Sequence, residues 1–465
     1  MIDTSSIQST RERIQAFLER VQSQTKIPGI ALALSVNGQR LYASAGAHSS
    51  GNAAPITERD RFHLGCTSKL LLAVAALELA RQGRLVLQAP LAEYLPELEG
   101  TQHGESVQVR HLLSHTSGYR GTNIFDAATR ELSWSGLTDY LRRTPRLFRP
   151  GEVFSYEHTE SVLLGRIVER AAGRKSLELI RESILSPLGI EPGRLEEARE
   201  DPLYAGQNHF DARARRFTAL GEAPKLPNLW HAAFSNYTVS VSDLLAIGEA
   251  VLGSSRVAGG QGLVSEDTLR ALLRPVVELP TPLGGAISEL LPVAFGLGAA
   301  KLPGGAYGHN GQSFGQSLGL RVDPHRGLAL TLGMNATLPH LRDFIMAAVL
   351  SDSALPLSPS SAVAGRSAKR IDWDLSALAG SYLGPGAATL EARMLEGSVM
   401  LEIREPSRES VLIGALAEDG QGGAILQAQI PQLSVAFFRE PSGEGLGLML
   451  GLNAYKRISP ASRSA

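Results

Sequence analysis

The sequence is nearly devoid of cysteine. Cys66 is the only one among 465 residues, so no intrachain disulfide can form, which fits a reducing compartment. Neither sign of charge prevails: 45 Lys and Arg stand against 46 Asp and Glu, a formal net charge of -1. That balance excludes the basic footprint of a nucleic-acid binder and the composition of an acidic disordered chain. No apolar run reaches the roughly 18 residues of a membrane-spanning helix. Residues 1–24 lack the basic, apolar and small-residue regions of a secretory signal. The expectation is a cytoplasmic protein with no nucleic acid and no membrane among its partners. The histidines show no metal-ligand spacing, so neither a metal nor another cofactor is expected. No internal repeat of fixed period is found.

The length exceeds the ~250 to 300 residues at which a single core stops growing, so more than one domain is expected. Ile7, Ile14, Phe17, Leu18 and Val21 form one stripe of an amphipathic helix near the N-terminus. Asn37-Gly38 then joins two strand-like runs, a strong hairpin signal. From Ala294 to Asn335, short apolar runs alternate with glycines and read as sheet strands, with Asp323 to Gly327 as a turn. Residues 355–370 are rich in Ser, Pro, Ala and Gly without periodicity and read as a linker. Residues 371–465 carry short alternating runs at regular spacing, the pattern of a small β-barrel or β-sandwich.

The stretch Phe62 to Leu85 organises the rest. It reads as a short approach, a turn at Gly65, and an apolar helix opened by Cys66 and stopped at Gly83. Lys69 lies three residues past Cys66, and on a helix such a pair shares one face at about 5 to 6 Å between Cβ atoms. A helix start beside a lysine is a setting in which a sulfur nucleophile is activated. The competing reading is a small core cysteine with a solvated lysine nearby. Ser68 is a poor alternative nucleophile, because adjacent helical residues face different ways. His115, in a hydroxyl-rich turn, reads as structural.

Three segments then carry a resemblance: Cys66-Thr67-Ser68-Lys69, Tyr156-Glu157-His158 and His309-Asn310-Gly311, with FHLG, LLSHTSG, PGEVFSY and VDP around them. In order and spacing they resemble the serine β-lactamase-like family, which includes class C β-lactamases, penicillin-binding proteins, and related esterases, D-peptidases and acyltransferases. The resemblance covers roughly residues 10–350. It implies an α/β fold: an antiparallel sheet flanked by helices, with an all-helical region, over residues 1–354, followed by the small all-β domain. The active site would lie in the cleft between sheet and helical region.

By the same resemblance, Cys66 takes the position of the family's serine nucleophile, Lys69 that of its lysine, and Tyr156 that of a proton relay. His309, Asn310 and Gly311 match the third motif, which orients the substrate. The backbone N–H groups of Cys66 and Gln312 would form the oxyanion hole. His158 stands where the family usually has asparagine, which sets this chain apart from ordinary β-lactam or peptidoglycan recognition. Specificity would lie in the loops Tyr119–Arg149 and Tyr204–Trp230. The expected activity is hydrolysis or acyl transfer at an amide, peptide or ester carbonyl through an acyl-enzyme on Cys66, with a small-molecule or peptide-like acyl substrate as partner. A catalytically lapsed ligand binder or thiol sensor on the same scaffold is the alternative, and an engineered replacement of serine by Cys66 is a third reading.

Overall fold

The structure is a computed structural model. It describes residues 4–120, 133–198, 200–211, 214, 216–220, 229, 231, 235–252, 263–279, 292–313, 315–351, 379–383, 389–395, 398–405, 408–418, 424–428, 435–439, 446–450 and 453–458. The chain folds into two compact units. The first comprises Met1–Gln82, Ala172–Leu273 and Ala299–Ala362, and the second Gly83–Ala171, Arg274–Gly298 and Val363–Ala465. The linker expected at residues 355–370 lies outside the described residues.

The first unit begins with helix α1 (Thr4–Thr25), strands β1 (Gly29–Val36), β2 (Gln39–Ser49), β3 (Asn52–Pro55) and β4 (Arg61–His63), and helix α2 (Ser68–Arg81). Short strands follow: β5 (Gly193–Arg194), β6 (Asn208–Asp211), β7 (Arg216–Ala219) and β8 (Tyr237–Ser240). Val277–Glu278 and Ala294–Phe295, β9 and β10, form an antiparallel pair in the second unit. Back in the first unit come β11 (Ala300–Lys301), β12 (Tyr307–Ser313), β13 (Gln316–Asp323) and β14 (Leu328–Met334), then the helix Pro339–Leu350.

The main sheet of this unit runs β3-β2-β1-β14-β13-β12-β11, with antiparallel neighbours. The hairpin expected at Asn37-Gly38 joins β1 to β2, both turn residues having positive φ as a two-residue hairpin loop of that composition requires. β1, β13 and β14 are buried on every residue, so their apolar runs are covered on both faces. On one face Ile14, Leu18 and Val21 of α1 join Ile345, Met346 and Val349 of the Pro339–Leu350 helix in a single cluster with Leu32, Leu330 and Leu332. The other face carries the helix Val241–Leu252: Thr331 Oγ1 donates to Val241 O at 2.8 Å, and Gly248 packs against Leu320.

Within the second unit, Gly83–Ala171 is helical, without a strand among its described residues, and includes Trp134–Arg143 and His158–Ala172. The described C-terminal segments are strands β15 (Gly380–Leu383), β16 (Thr389–Leu395), β17 (Ser398–Glu405), β18 (Arg408–Glu418), β19 (Ala424–Ala428), β20 (Val435–Arg439), β21 (Leu446–Leu450) and β22 (Asn453–Ile458). They pair in sequence order, and β15 pairs with β22 to close an antiparallel barrel. The last strand touches the helical part of its own unit: Ala454 N–H donates to Ser155 Oγ at 3.1 Å. Among the described residues no helix is long and apolar enough to cross a membrane.

Candidate active site

The approach to Cys66 is clamped before the nucleophile position is reached. His63 N–H donates to Gln316 Oε1 at 2.9 Å, and the His63 ring lies 2.8 Å from Ser313 Oγ through Nδ1 and 3.2 Å from Ser235 O through Nε2. Gly65 follows at φ +52, and a Cβ there would come within 2.6 Å of Gln312 O. Both the left-handed backbone and the contact demand glycine. The Cys66 turn is thereby pressed against the backbone of β12.

The helix was expected to open at Cys66. A single 3₁₀ turn, Gly65–Thr67, instead carries Cys66, and the α-helix begins at Ser68. Ser68 Oγ donates to Gly65 O at 2.7 Å, occupying that carbonyl within a three-residue turn. This bond also removes Ser68 as a rival nucleophile, since the side chain is 2% exposed. Cys66 is partly exposed between buried neighbours. Lys69 is buried in the first turn of α2, and the helix stops where Gly83 takes φ +71.

On β12, alternation puts His309 and Gly311 on one face and Asn310 and Gln312 on the other. His309 is buried, its Nδ1–H donating to Asn310 O at 2.8 Å. A Cβ at Gly311 would lie 2.4 Å from Leu64 O and 2.8 Å from Thr67 Oγ1, so this face is the one against the Cys66 turn. The Asn310 side chain is engaged elsewhere: its Oδ1 accepts from Arg321 Nη1 at 2.7 Å, and its Nδ2 donates to Asp343 Oδ1 at 3.3 Å. Burial pushes the Arg321 guanidinium down to about 10, with Asp343 pulling the other way. It therefore stays charged at neutral pH.

Tyr156 and His158 lie in the second unit, their rings 5.5 Å apart and nearly perpendicular. Tyr156 sits just before the helix that opens at His158. The His115 ring lies 4.5 Å from the Tyr156 ring, tilted by 44°, and edge-on at 5.3 Å to Phe295. Its Nδ1 contacts Glu160, and Glu160 also accepts from the Ser117 backbone N–H at 3.2 Å and from Ser117 Oγ. His115 and Glu160 are 4% and 1% exposed, so their contact is shielded from water and holds the imidazole against the Tyr156 ring. His115 lies at φ +53 in the hydroxyl-rich turn, buried. Glu160 gave no sequence signal of its own, because its partners are over 40 residues away.

Of the specificity loops, residues 121–132, 212, 213, 215, 221–228 and 230 lie outside the described residues. Among the described residues no group of three or more His, Cys, Asp or Glu is placed to hold a metal ion.

Residues 11–353 match the Beta-lactamase family. The chain belongs to that family. Penicillin-binding protein 4 of Amycolatopsis lactamdurans is 25% identical over 338 residues, 69% of this chain and 84% of that protein. Esterase EstB of Burkholderia gladioli is 29% identical over 200 residues, which span 39% of this chain and 50% of the esterase. Among solved structures, SurE is 25% identical with a TM-score of 0.75, covering 97% of this chain and 99% of SurE. SurE has also been solved with D-Leu, where the TM-score is 0.71. The family match ends at residue 353, whereas the likeness to SurE extends through the barrel.

Proposed function

We propose that this Beta-lactamase family member is a hydrolase or acyltransferase that carries its substrate's acyl group as a thioester on Cys66. The observation that supports this most is the placement of the chain's single cysteine, partly exposed on a turn whose neighbours are buried and which is pressed against β12. Tyr156, with Lys69, takes the thiol proton as sulfur attacks the carbonyl carbon of an amide, peptide or ester. The negative charge that gathers on the carbonyl oxygen is met by the N–H groups of Cys66 and Gln312. Collapse breaks the bond to the amine or alcohol, which leaves with the proton. Water, an amine or an alcohol then attacks the thioester and restores the thiol. By the resemblance of their motifs, His158 and His309 orient the substrate, while Gly311 and Asn310 act through the strand.

Thioesters are attacked readily by amines, so transfer stands beside hydrolysis. The SurE structure containing D-Leu makes acyl groups that end in a D-amino acid the first substrate class to try. A nucleophilic thiol must remain reduced, which suits a cytoplasmic setting. The test is intact-mass spectrometry after incubation with p-nitrophenyl esters, D- and L-amino-acid amides, peptidyl thioesters and a β-lactam. An increment localised to Cys66 and absent from Cys66→Ala is expected. No adduct across the panel, with slow alkylation of Cys66, would replace this reading with that of a ligand-binding protein.

A further inference from the structure

We infer that Arg342 is a positioning residue of the oxyanion hole, acting through the Gly311–Gln312 peptide group. This rests on the acyl-enzyme reading above. Arg342 stands on the helix Pro339–Leu350 and is 3% exposed. Its Nη1 donates to Gly311 O at 3.2 Å and to Leu318 O at 3.4 Å. The carbonyl of Gly311 and the N–H of Gln312 belong to one planar peptide unit and point in opposite directions. Holding that carbonyl therefore fixes the direction of the N–H that is to meet the developing oxyanion. A cation on the carbonyl oxygen also draws electron density from the amide nitrogen, which makes its N–H a stronger donor.

The arrangement around Arg342 is built rather than incidental. Asp343 grips the guanidinium along one edge, accepting from Nε at 2.9 Å through Oδ1 and from Nη2 at 2.8 Å through Oδ2. The remaining nitrogen, Nη1, is thereby aimed at the sheet. Arg321, also buried, donates to Asp343 Oδ1 at 2.9 Å and to Asn310 Oδ1 at 2.7 Å, so the same carboxylate holds the side chain one residue before Gly311. Gly319 supplies the space: a Cβ there would come within 3.1 Å of Arg342 Cδ and 2.5 Å of Met346 Sδ. Two guanidinium groups and one carboxylate leave a net positive charge behind β12. A lysine would keep that charge without the fork that matches both Asp343 and the carbonyls.

The experiment compares wild type, Arg342→Lys and Arg342→Met by single-turnover acylation with a p-nitrophenyl ester. The infrared band of a ¹³C-labelled acyl carbonyl on Cys66 is recorded in each. The thioester carbonyl band should move to higher frequency in Arg342→Met, with Arg342→Lys between it and wild type. Acylation should fall about 10- to 30-fold in Arg342→Met, less than the ~10²- to 10³-fold of deleting an oxyanion donor outright. The rate of Cys66 alkylation should stay near wild type, since alkylation forms no oxyanion. Should Arg342→Met fail to fold, the lysine variant decides by the same band. An unshifted band and wild-type acylation in a folded Arg342 variant would overturn the inference. A wild type that forms no acyl adduct would instead overturn the acyl-enzyme reading beneath it.

Discussion

Gly65→Ala tests the geometry on which the proposed chemistry depends. The residue has φ +52, and a Cβ would sit 2.6 Å from Gln312 O and 3.0 Å from Gln312 N. Left-handed backbone costs a Cβ-bearing residue about 1 to 2 kcal/mol. The steric part acts in a particular direction. Ordinary contact begins at 3.4 Å, so the Cys66 turn and β12 must separate by about 0.8 Å. Neither partner can yield by rotating a side chain, because both contacting groups are backbone. A misplacement of ~1 Å can cost about 10²-fold in rate when reacting groups must be aligned, and losing one oxyanion donor costs a similar factor or more. Acylation by a p-nitrophenyl ester should therefore fall about 10²-fold in Gly65→Ala. Alkylation of Cys66 by iodoacetamide, which needs no oxyanion hole, should change only a few fold. The assay is single-turnover release of p-nitrophenol beside the alkylation rate, with near-UV circular dichroism to establish folding. A folded Gly65→Ala that acylates at the wild-type rate would refute the reasoning that the Cys66 turn and β12 together form the hole.

Glu160→Gln removes the carboxylate that binds His115 and Ser117; losing these buried hydrogen bonds should cost about 1 to 3 kcal/mol in denaturant unfolding, and kcat should fall as the ring beside Tyr156 loosens. Leu332→Ala, fully buried at the centre of the β14 core, should cost about 2 to 5 kcal/mol in the same measurement. Acid should act in two windows. Burial, with Arg110 and Arg146 adding to it, pushes His111 down to about 4 from an ordinary 6.5, and its Nδ1 accepts from Gln108 N–H at 3.1 Å. The unfolded chain takes up that proton first, so the stability His111 provides is fully present above pH 6.5 and is lost as pH falls towards 4. Glu97, held at about 2 by Arg170, provides stability above its ordinary 4.5 that is lost as pH falls towards 2. Unfolding midpoints at pH 7, 5 and 3 should fall in both steps, and His111→Gln should flatten the first alone.

Local chemistry made several elements legible before any contact was known. Asn37-Gly38 can take the positive φ of a two-residue hairpin loop, and it does. The stripe on α1 is the face that enters the core, with Ile14, Leu18 and Val21 buried. Gly83 ends α2 in the left-handed conformation. Two of the three motif segments lie on the kinds of element expected of them: the approach to the helix His158–Ala172, and a glycine-bearing strand. The two-residue displacement of the helix start, from Cys66 to Ser68, was not legible, because the Gly65–Thr67 turn is set by its contact with the distant backbone of Gln312.

What the sequence determined by itself is what short range dictates: which residues turn, which faces are apolar, which three motifs stand in which order, and that only one sulfur is present to act as a thiol. What the tertiary structure alone decided is what distant residues do to one another. Gly65 is required by the backbone of Gln312, Asn310 is taken up by Arg321 and Asp343, and His115 is held by Glu160. None of these pairings has a period or a local signature, because sheet registration and helix packing bring together residues that the chain keeps far apart. A polar side chain is moreover satisfied by whichever partner that packing leaves within hydrogen-bond distance.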